Sequence, residues 1–160
     1  MLLPDGRALG DPSNAEIAEA AGAPVEVEEH AFDVVIVGAG PTGLSAAVRL
    51  GIPSLEALNG AGVFYGGPTW EAHALTGKDA YIVGGGNSAG QAALHLARFA
   101  RRATLVVRGQ SLDVGMSHYL VREVEATPNV EVRTETEVGG GGGEGRLQQL
   151  VLRQSPAGNH

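Results

Sequence analysis

The residues whose types and spacing point to chemistry are glycines. Gly84-x-Gly86-x-x-Ala89 stands between a short apolar run, Ala80 to Val83, and an amphipathic segment that leads to a second β-branched run, Thr104 to Val107. In that order the motif reads as the first turn of a β-α-β unit that binds a dinucleotide. Gly84 lets the chain turn tightly, Gly86 leaves no side chain between backbone and pyrophosphate, and small Ala89 lets the helix lie close to the strand. The pyrophosphate would rest on the unpaired N–H groups and positive end of that helix. A glycine turn of purely structural purpose is the alternative reading.

The elements around the motif are well marked. Ser88 and Gln91 have capping-box spacing, and Ala89, Ala92, Ala93, Leu96, Phe99 and Ala100 recur at helical intervals, giving one apolar face for a sheet. Arg101 and Arg102 fall where the last turn of the helix is expected, a position that suits positive charge. The second strand ends at Arg108, with no carboxylate before Asp113. An acid there would accept hydrogen bonds from a free ribose 2′-hydroxyl, whereas an arginine pairs with a 2′-phosphate. The sequence therefore predicts NADPH rather than NADH, against the alternative that Arg108 is a solvated surface charge.

A second fingerprint lies upstream. Phe32 to Val37 reads as a buried strand, and Gly38-Ala-Gly40-Pro41-Thr-Gly43 runs from it into a helical stretch, Leu44 to Leu50. Two such turns in one chain are more specific than either alone, and they mark flavoproteins that hold FAD in one Rossmann-type domain and NAD(P)H in another. The upstream unit is incomplete. Gly51 to Pro53 ends its helix, and no β-branched strand follows to carry a ribose-binding acid; Glu56 has the right distance in the wrong context.

Length and composition bound the rest. At 160 residues and 43% apolar content, the chain suffices for one ordinary domain with a core. A net charge of −7 argues against nucleic acid or an anionic membrane as the main partner, since both require clustered Lys and Arg. No run is long enough to span a membrane and the start lacks the regions of a signal peptide, so a cytoplasmic location is expected. There is no cysteine, which excludes disulfides, thiolate metal sites and a redox-active CxxC in this sequence. The five histidines are scattered without ligand spacing, so no metal site is indicated.

Read in order, residues 1–30 form a cap or linker with a short helix from Ser13 and an acidic connector at Val25–Glu29. Residues 31–50 form a partial FAD-type β-α unit, 51–76 a connector, 77–153 the NAD(P)H-binding domain and 154–160 a disordered tail. In the connector, Trp70 and His73 read either as an aromatic wall for a nicotinamide or flavin ring or as linker packing. Within the nucleotide-binding domain, Ser117 opens a helix whose apolar face is Leu120, Val121 and Val124, halted before Pro128. Val130 to Val138 alternates as one half-exposed strand, Gly139–Gly143 is a flexible loop, and Leu147–Leu152 is the return strand of a hairpin.

With both fingerprints placed, the chain resembles the thioredoxin reductase-like flavoproteins, the pyridine nucleotide-disulfide oxidoreductases of class II, and most closely those fused behind a signalling module. The stretches that carry the likeness are PDGRALGDPSNAEIAEAAG, FDVVIVGAGPTGLSAAV, LGIPSLEALNGAGVFYG, GGGNSAGQAALHLARFARRATLVVRG and MSHYLVREVEATPNVEVRTETEV. The resemblance implies an α/β, Rossmann-like three-layer nucleotide-binding domain beside part of an FAD domain. It implies that Gly38, Gly40, Pro41 and Gly43 belong to an FAD pyrophosphate site. It further implies that Gly84, Gly86, Asn87, Ser88 and Ala89 hold the pyrophosphate of NADPH and that Arg108 holds its 2′-phosphate.

The sequence departs from that family in three places. Where the reductases carry CxxC after the tyrosine matched by Tyr65, this chain reads Gly66-Gly-Pro-Thr69, so a dithiol route through this segment is ruled out. The helix of the first fingerprint joins the NADPH-side segment at Arg49–Gly51, as though the bulk of the FAD domain were missing. The chain also stops after the hairpin, and so reads as a shortened, internally deleted relative. Three expectations follow: an NADPH- and FAD-dependent oxidoreductase with an external electron acceptor, in which the NADPH half persists; a non-catalytic NADP(H)-binding module; or an inactive fragment. A half-sheet left exposed would favour a second copy of the chain or a partner protein.

Overall fold

The computed structural model describes strand backbones at 25–27 and 34–37 and, in full, residues 52–65 and 75–154. The elements are β1 (Val25–Val27), β2 (Val34–Val37), α1 (Pro53–Glu56), β3 (Val63–Tyr65), β4 (Asp79–Val83), α2 (Asn87–Ala97), β5 (Arg102–Val106), α3 (His118–Ala126), β6 (Val130–Arg133), β7 (Thr136–Gly142) and β8 (Gln149–Gln154). Five strands make a parallel sheet in the order β3-β2-β4-β5-β6, and three make an antiparallel sheet in the order β1-β8-β7.

The two-residue period of β4 and β5 builds the layers. Ala80 and Ile82 on β4, with Ala103, Leu105 and Val107 on and just past β5, join Ala89, Ala92, Ala93 and Leu96 of α2 and Leu120, Val121 and Val124 of α3 in one core. The alternate residues, Tyr81 and Val106, face the other way into a second core with Leu55, Leu58, Val138, Leu147, Leu150 and Leu152. Because successive side chains of a strand point to opposite faces, a sheet buried on both sides needs continuous apolar runs. The sequence 79–83 is buried over its first four residues and 103–107 throughout. The result is the expected three-layer α/β arrangement: helices, parallel sheet, antiparallel sheet.

Several local expectations are corrected. The N-cap of α2 is Gly86, without a side-chain cap bond, so Ser88 and Gln91 do not form a capping box; the backbone reaches helical geometry as soon as it leaves the glycine turn. Arg101 and Arg102 lie beyond α2, and Arg102 begins β5, where both reach the buried carboxylate of Asp79. Val25–Val27 within the acidic connector is a strand paired with β8.

The stretch 130–138 is not one strand. Glu135 has φ = 49°, a left-handed conformation that no extended strand accommodates, and it splits β6 of the parallel sheet from β7 of the antiparallel one. The glycines at 139–142 are not a free loop: Gly140, Gly141 and Gly142 pair with Val151, Leu150 and Gln149, with a bulge at Gly139. Leu55 presses on this glycine-rich strand, where a Cβ at position 141 would stand 2.7 Å from its Cδ2. The proposed helix from Ser13 and the tail after 154 lie outside the described residues.

Candidate nucleotide site

The glycine turn sits at the carboxyl end of β4. Gly84 has φ = 148°, closed to ordinary side chains, and its N–H donates to Val106 O at 3.0 Å, which ties the turn to β5. A Cβ at Gly84 would stand 3.1 Å from the Cβ of Ala89, itself buried, so both positions demand the small residues they have. Gly86 follows in extended geometry, φ = −97° and ψ = 177°, and its carbonyl accepts from the N–H groups of Ala89 and Gly90 at 3.0 and 3.1 Å. The N–H groups of Asn87 and Ser88, the first of the helix, find no acceptor among the described residues. Two open donors at the positive end of an eleven-residue helix form an anion cradle.

The stretch Ser111–Met116, which the sequence reads as a loop, walls this turn. Leu112 and Met116 are buried in the helix-side core and hold residues 112–116 down. Gly115 lies so close to the turn that a Cβ on it would stand 2.9 Å from Gly85 O. The side-chain carbonyl of Asn87 accepts the N–H of Ser117 at 2.8 Å, so this side chain fastens the loop and the first turn of α3 to the start of α2. This bond uses only the acceptor Oδ1 and leaves the backbone N–H and the side-chain NH2 of Asn87 as donors. The sequence marks 111–116 as a loop, but no motif in it places that loop against the glycine turn.

Arg108 is exposed just past β5 and has no ion-pair partner among the described residues. The end of β6 comes back beside it. Val107 N–H donates to Arg133 O at 2.9 Å, Thr136 N–H to Val107 O at 3.0 Å, and Glu135 N–H to Gly109 O at 2.9 Å. The strand end that lacked an acid in the sequence thus gains one from 27 residues downstream, since Gln110 Nε2 lies 3.5 Å from Glu135 Oε1.

Gly38, Gly40, Pro41 and Gly43 lie outside the described residues, as do Trp70 and His73. The strand that leads to the first fingerprint is described, and it is a neighbour of β4: Val37 is in register with Val83. Glu56 is exposed on α1. Its charge, after burial, helps raise the Tyr65 phenol above its ordinary value.

The opposite, amino end of the strands carries a different cluster. Arg101 Nε and Nη2 donate to Asp79 Oδ1 and Oδ2 at 2.9 and 2.6 Å, and Arg102 reaches Asp79 at 3.4 Å and Glu131 at 3.3 Å. The Arg101 hydrogen bond holds the Asp79 carboxyl below its usual value against the opposing effect of burial, with the charges of Arg101 and Arg102 adding to it. An open hollow of about 550 Å³ lies here, lined by Arg101, Arg102, Pro128, Asn129, Val130 and Glu131. Arg133 Nε also donates to Glu131 Oε1 at 2.9 Å, so three guanidiniums share two carboxylates in a clamp between β4, β5 and β6. Among the described residues no group of three His, Asp or Glu could hold a metal, and no helix is long and apolar enough to cross a membrane.

A parallel β-α-β sheet with a Gly-x-Gly-x-x-Ala turn at its carboxyl end defines a Rossmann-like NAD(P)-binding domain. Residues 79–155 match the family described as pyridine nucleotide-disulphide oxidoreductase. The chain is 38% identical over 126 residues to a ferredoxin–NADP reductase of Frankia casuarinae, covering 79% of this chain and 36% of that protein. It is 32% identical over 131 residues to a thioredoxin reductase of Mycolicibacterium smegmatis, covering 82% and 40%. Among solved structures, the thioredoxin reductase of Streptococcus pyogenes superposes with a TM-score of 0.63 at 21% identity over 86% of this chain and 47% of that one, and shares its fold. Residues 79–155 thus form a pyridine nucleotide-disulphide oxidoreductase domain of thioredoxin reductase-like type, and the chain spans well under half the length of these curated relatives. Proteins of this family bind NAD(P)H and FAD.

Proposed function

We propose that the chain is the NADPH-binding part of an FAD- and NAD(P)H-dependent oxidoreductase that works without a CxxC. The observation that carries this reading is the turn from β4 into α2: Gly84 at φ = 148°, Gly86 as N-cap, and the N–H groups of Asn87 and Ser88 open among the described residues. These residues fit a pyrophosphate, because at Gly86 no atom of the described residues lies nearer than 3.7 Å to the place a Cβ would take. When bound, NADPH supplies a hydride to a flavin, and the electrons pass on to an external acceptor. The chain's own residues bind and orient: the α2 amides hold the pyrophosphate, Arg108 pairs with the 2′-phosphate, and the loop 112–116 fixes the turn from outside.

The test is thermal melting with excess NADPH and, separately, NADH. A ligand that binds only the folded state at about 100 times its Kd stabilises by about 2.7 kcal/mol. NADPH should raise the melting temperature more than NADH, and Arg108→Ala should remove the advantage of NADPH. No shift with either nucleotide refutes the reading.

A second reading, a non-catalytic NADP(H)-binding module, is favoured by the position of β2. The strand that opens the first fingerprint pairs on both edges within the nucleotide sheet, with Val37 beside Val83 and Tyr65, rather than heading a sheet of its own. Nucleotide binding without steady-state oxidation of NADPH by any dye supports the module, and turnover counts against it.

A further inference from the structure

The end of β5 carries two opposite charges that do not neutralise each other. Arg108 has no ion-pair partner among the described residues, and the Glu135 carboxylate meets the Gln110 amide at 3.5 Å. Glu135 is exposed, so this contact leaves most of its oxygen lone pairs open.

The geometry that brings Glu135 there is built, not incidental. It is the one non-glycine residue with positive φ among the described residues, a conformation of order 1 kcal/mol or more above the ordinary ones. Three backbone hydrogen bonds hold it: its own N–H to Gly109 O, Thr136 N–H to Val107 O, and Val107 N–H to Arg133 O. The Thr136 hydroxyl donates to Thr134 O at 2.8 Å and stiffens the same turn. These bonds fasten the β6–β7 turn to residues 107–109, the segment that in a dinucleotide fold lies against the adenosine ribose.

We infer that Glu135 is a specificity-determining residue that reads the adenosine ribose 2′ position. Its carboxylate, steadied by Gln110, accepts a hydrogen bond from a free 2′-hydroxyl and repels a 2′-phosphate, in opposition to Arg108. The inference rests on the nucleotide site proposed above, and it gives that site a narrower preference for NADPH than Arg108 alone would set. The acid that such folds carry at the end of the second strand is supplied here from the end of the third.

The experiment is calorimetric titration of the full chain and its Glu135→Gln and Glu135→Asn variants with adenosine 2′,5′-bisphosphate and with 5′-AMP. Asparagine tolerates the left-handed conformation, so it removes the charge without disturbing the turn. Both variants should bind the 2′-phosphorylated ligand about fivefold tighter and 5′-AMP about threefold weaker, the scale of an exposed charged contact. Gln110→Ala should move both affinities the same way by a smaller factor. If wild type and variants bind both ligands with an unchanged ratio, Glu135 does not read the ribose while the nucleotide site stands. If no protein binds either ligand, the site itself is absent and the inference falls with it.

Discussion

Gly115→Ala tests whether the loop 112–116 and the glycine turn are one unit. The added Cβ would stand 2.9 Å from Gly85 O and 3.5 Å from Gly85 C, and ordinary contact begins at 3.4 Å, so the loop or the turn must retreat by roughly 0.5 Å. Neither side yields cheaply. The obstacle is backbone, Leu112 and Met116 anchor one side in the core, and Val106 O holds the other through Gly84. Overpacking of this kind costs about 1–3 kcal/mol. In a domain of this size that lowers the melting temperature by about 2–4 °C per kcal/mol, hence roughly 2–12 °C. The same retreat stretches the 2.8 Å bond from Ser117 N–H to Asn87 and tilts the open amides of α2, so nucleotide affinity should fall together with stability. Urea unfolding, with and without NADPH, measures both. Gly142→Ala is the control: a Cβ there meets nothing within 4 Å among the described residues, and its stability should stay within about 0.5 kcal/mol of wild type. If Gly115→Ala unfolds with the wild-type midpoint and binds NADPH unchanged, the loop does not support the turn and the reasoning is wrong.

Two further outcomes are expected. Asp79→Asn should destabilise the chain by about 2–3 kcal/mol, because the buried carboxylate is the common acceptor of Arg101 and Arg102, with the exposure of Arg101 keeping the cost below that of a fully buried pair. Since the folded-state pKa of Asp79 is lowered, its contribution is complete above the ordinary carboxylate value and is lost as pH falls through the lowered one. Urea midpoints should therefore drop for wild type below about pH 4 and drop less steeply for Asp79→Asn; parallel slopes would count against the clamp. Gly84→Ala should cost about 1–3 kcal/mol through its positive φ and the 3.1 Å approach to Ala89, measured by the same unfolding assay; a neutral result would show that the turn relaxes freely.

The residues that repeat at short range were legible in the sequence. The run Ala80–Val83, the glycine spacing at 84–89, the apolar face of Ala89, Ala92, Ala93 and Leu96, and the run ending at Val107 predicted strand, turn, helix and strand, because each depends on the steric needs of neighbours within a few residues. The face of α3 was readable for the same reason: Leu120, Val121 and Val124 are all buried. Arg108 at the end of the second strand followed directly from chain order.

What lies across long sequence separations was decided by tertiary structure. Nothing local to Asp79 announces that Arg101 and Arg102, 22 and 23 residues away, will close on it. Nothing local to Glu135 says that the parallel pairing of β5 with β6 will carry it to Gly109. The alternation from Val130 to Val138 suits a single strand equally well, and only the division of that stretch between two sheets forces the left-handed break at Glu135. The glycines of β7 have no side chains to signal a strand, yet β8 supplies their partners and Leu55 their cover. Periodicity reports which face of an element is apolar. It does not report which distant backbone will pair with it, and in this chain the carboxylates at both ends of the sheet are placed by that pairing.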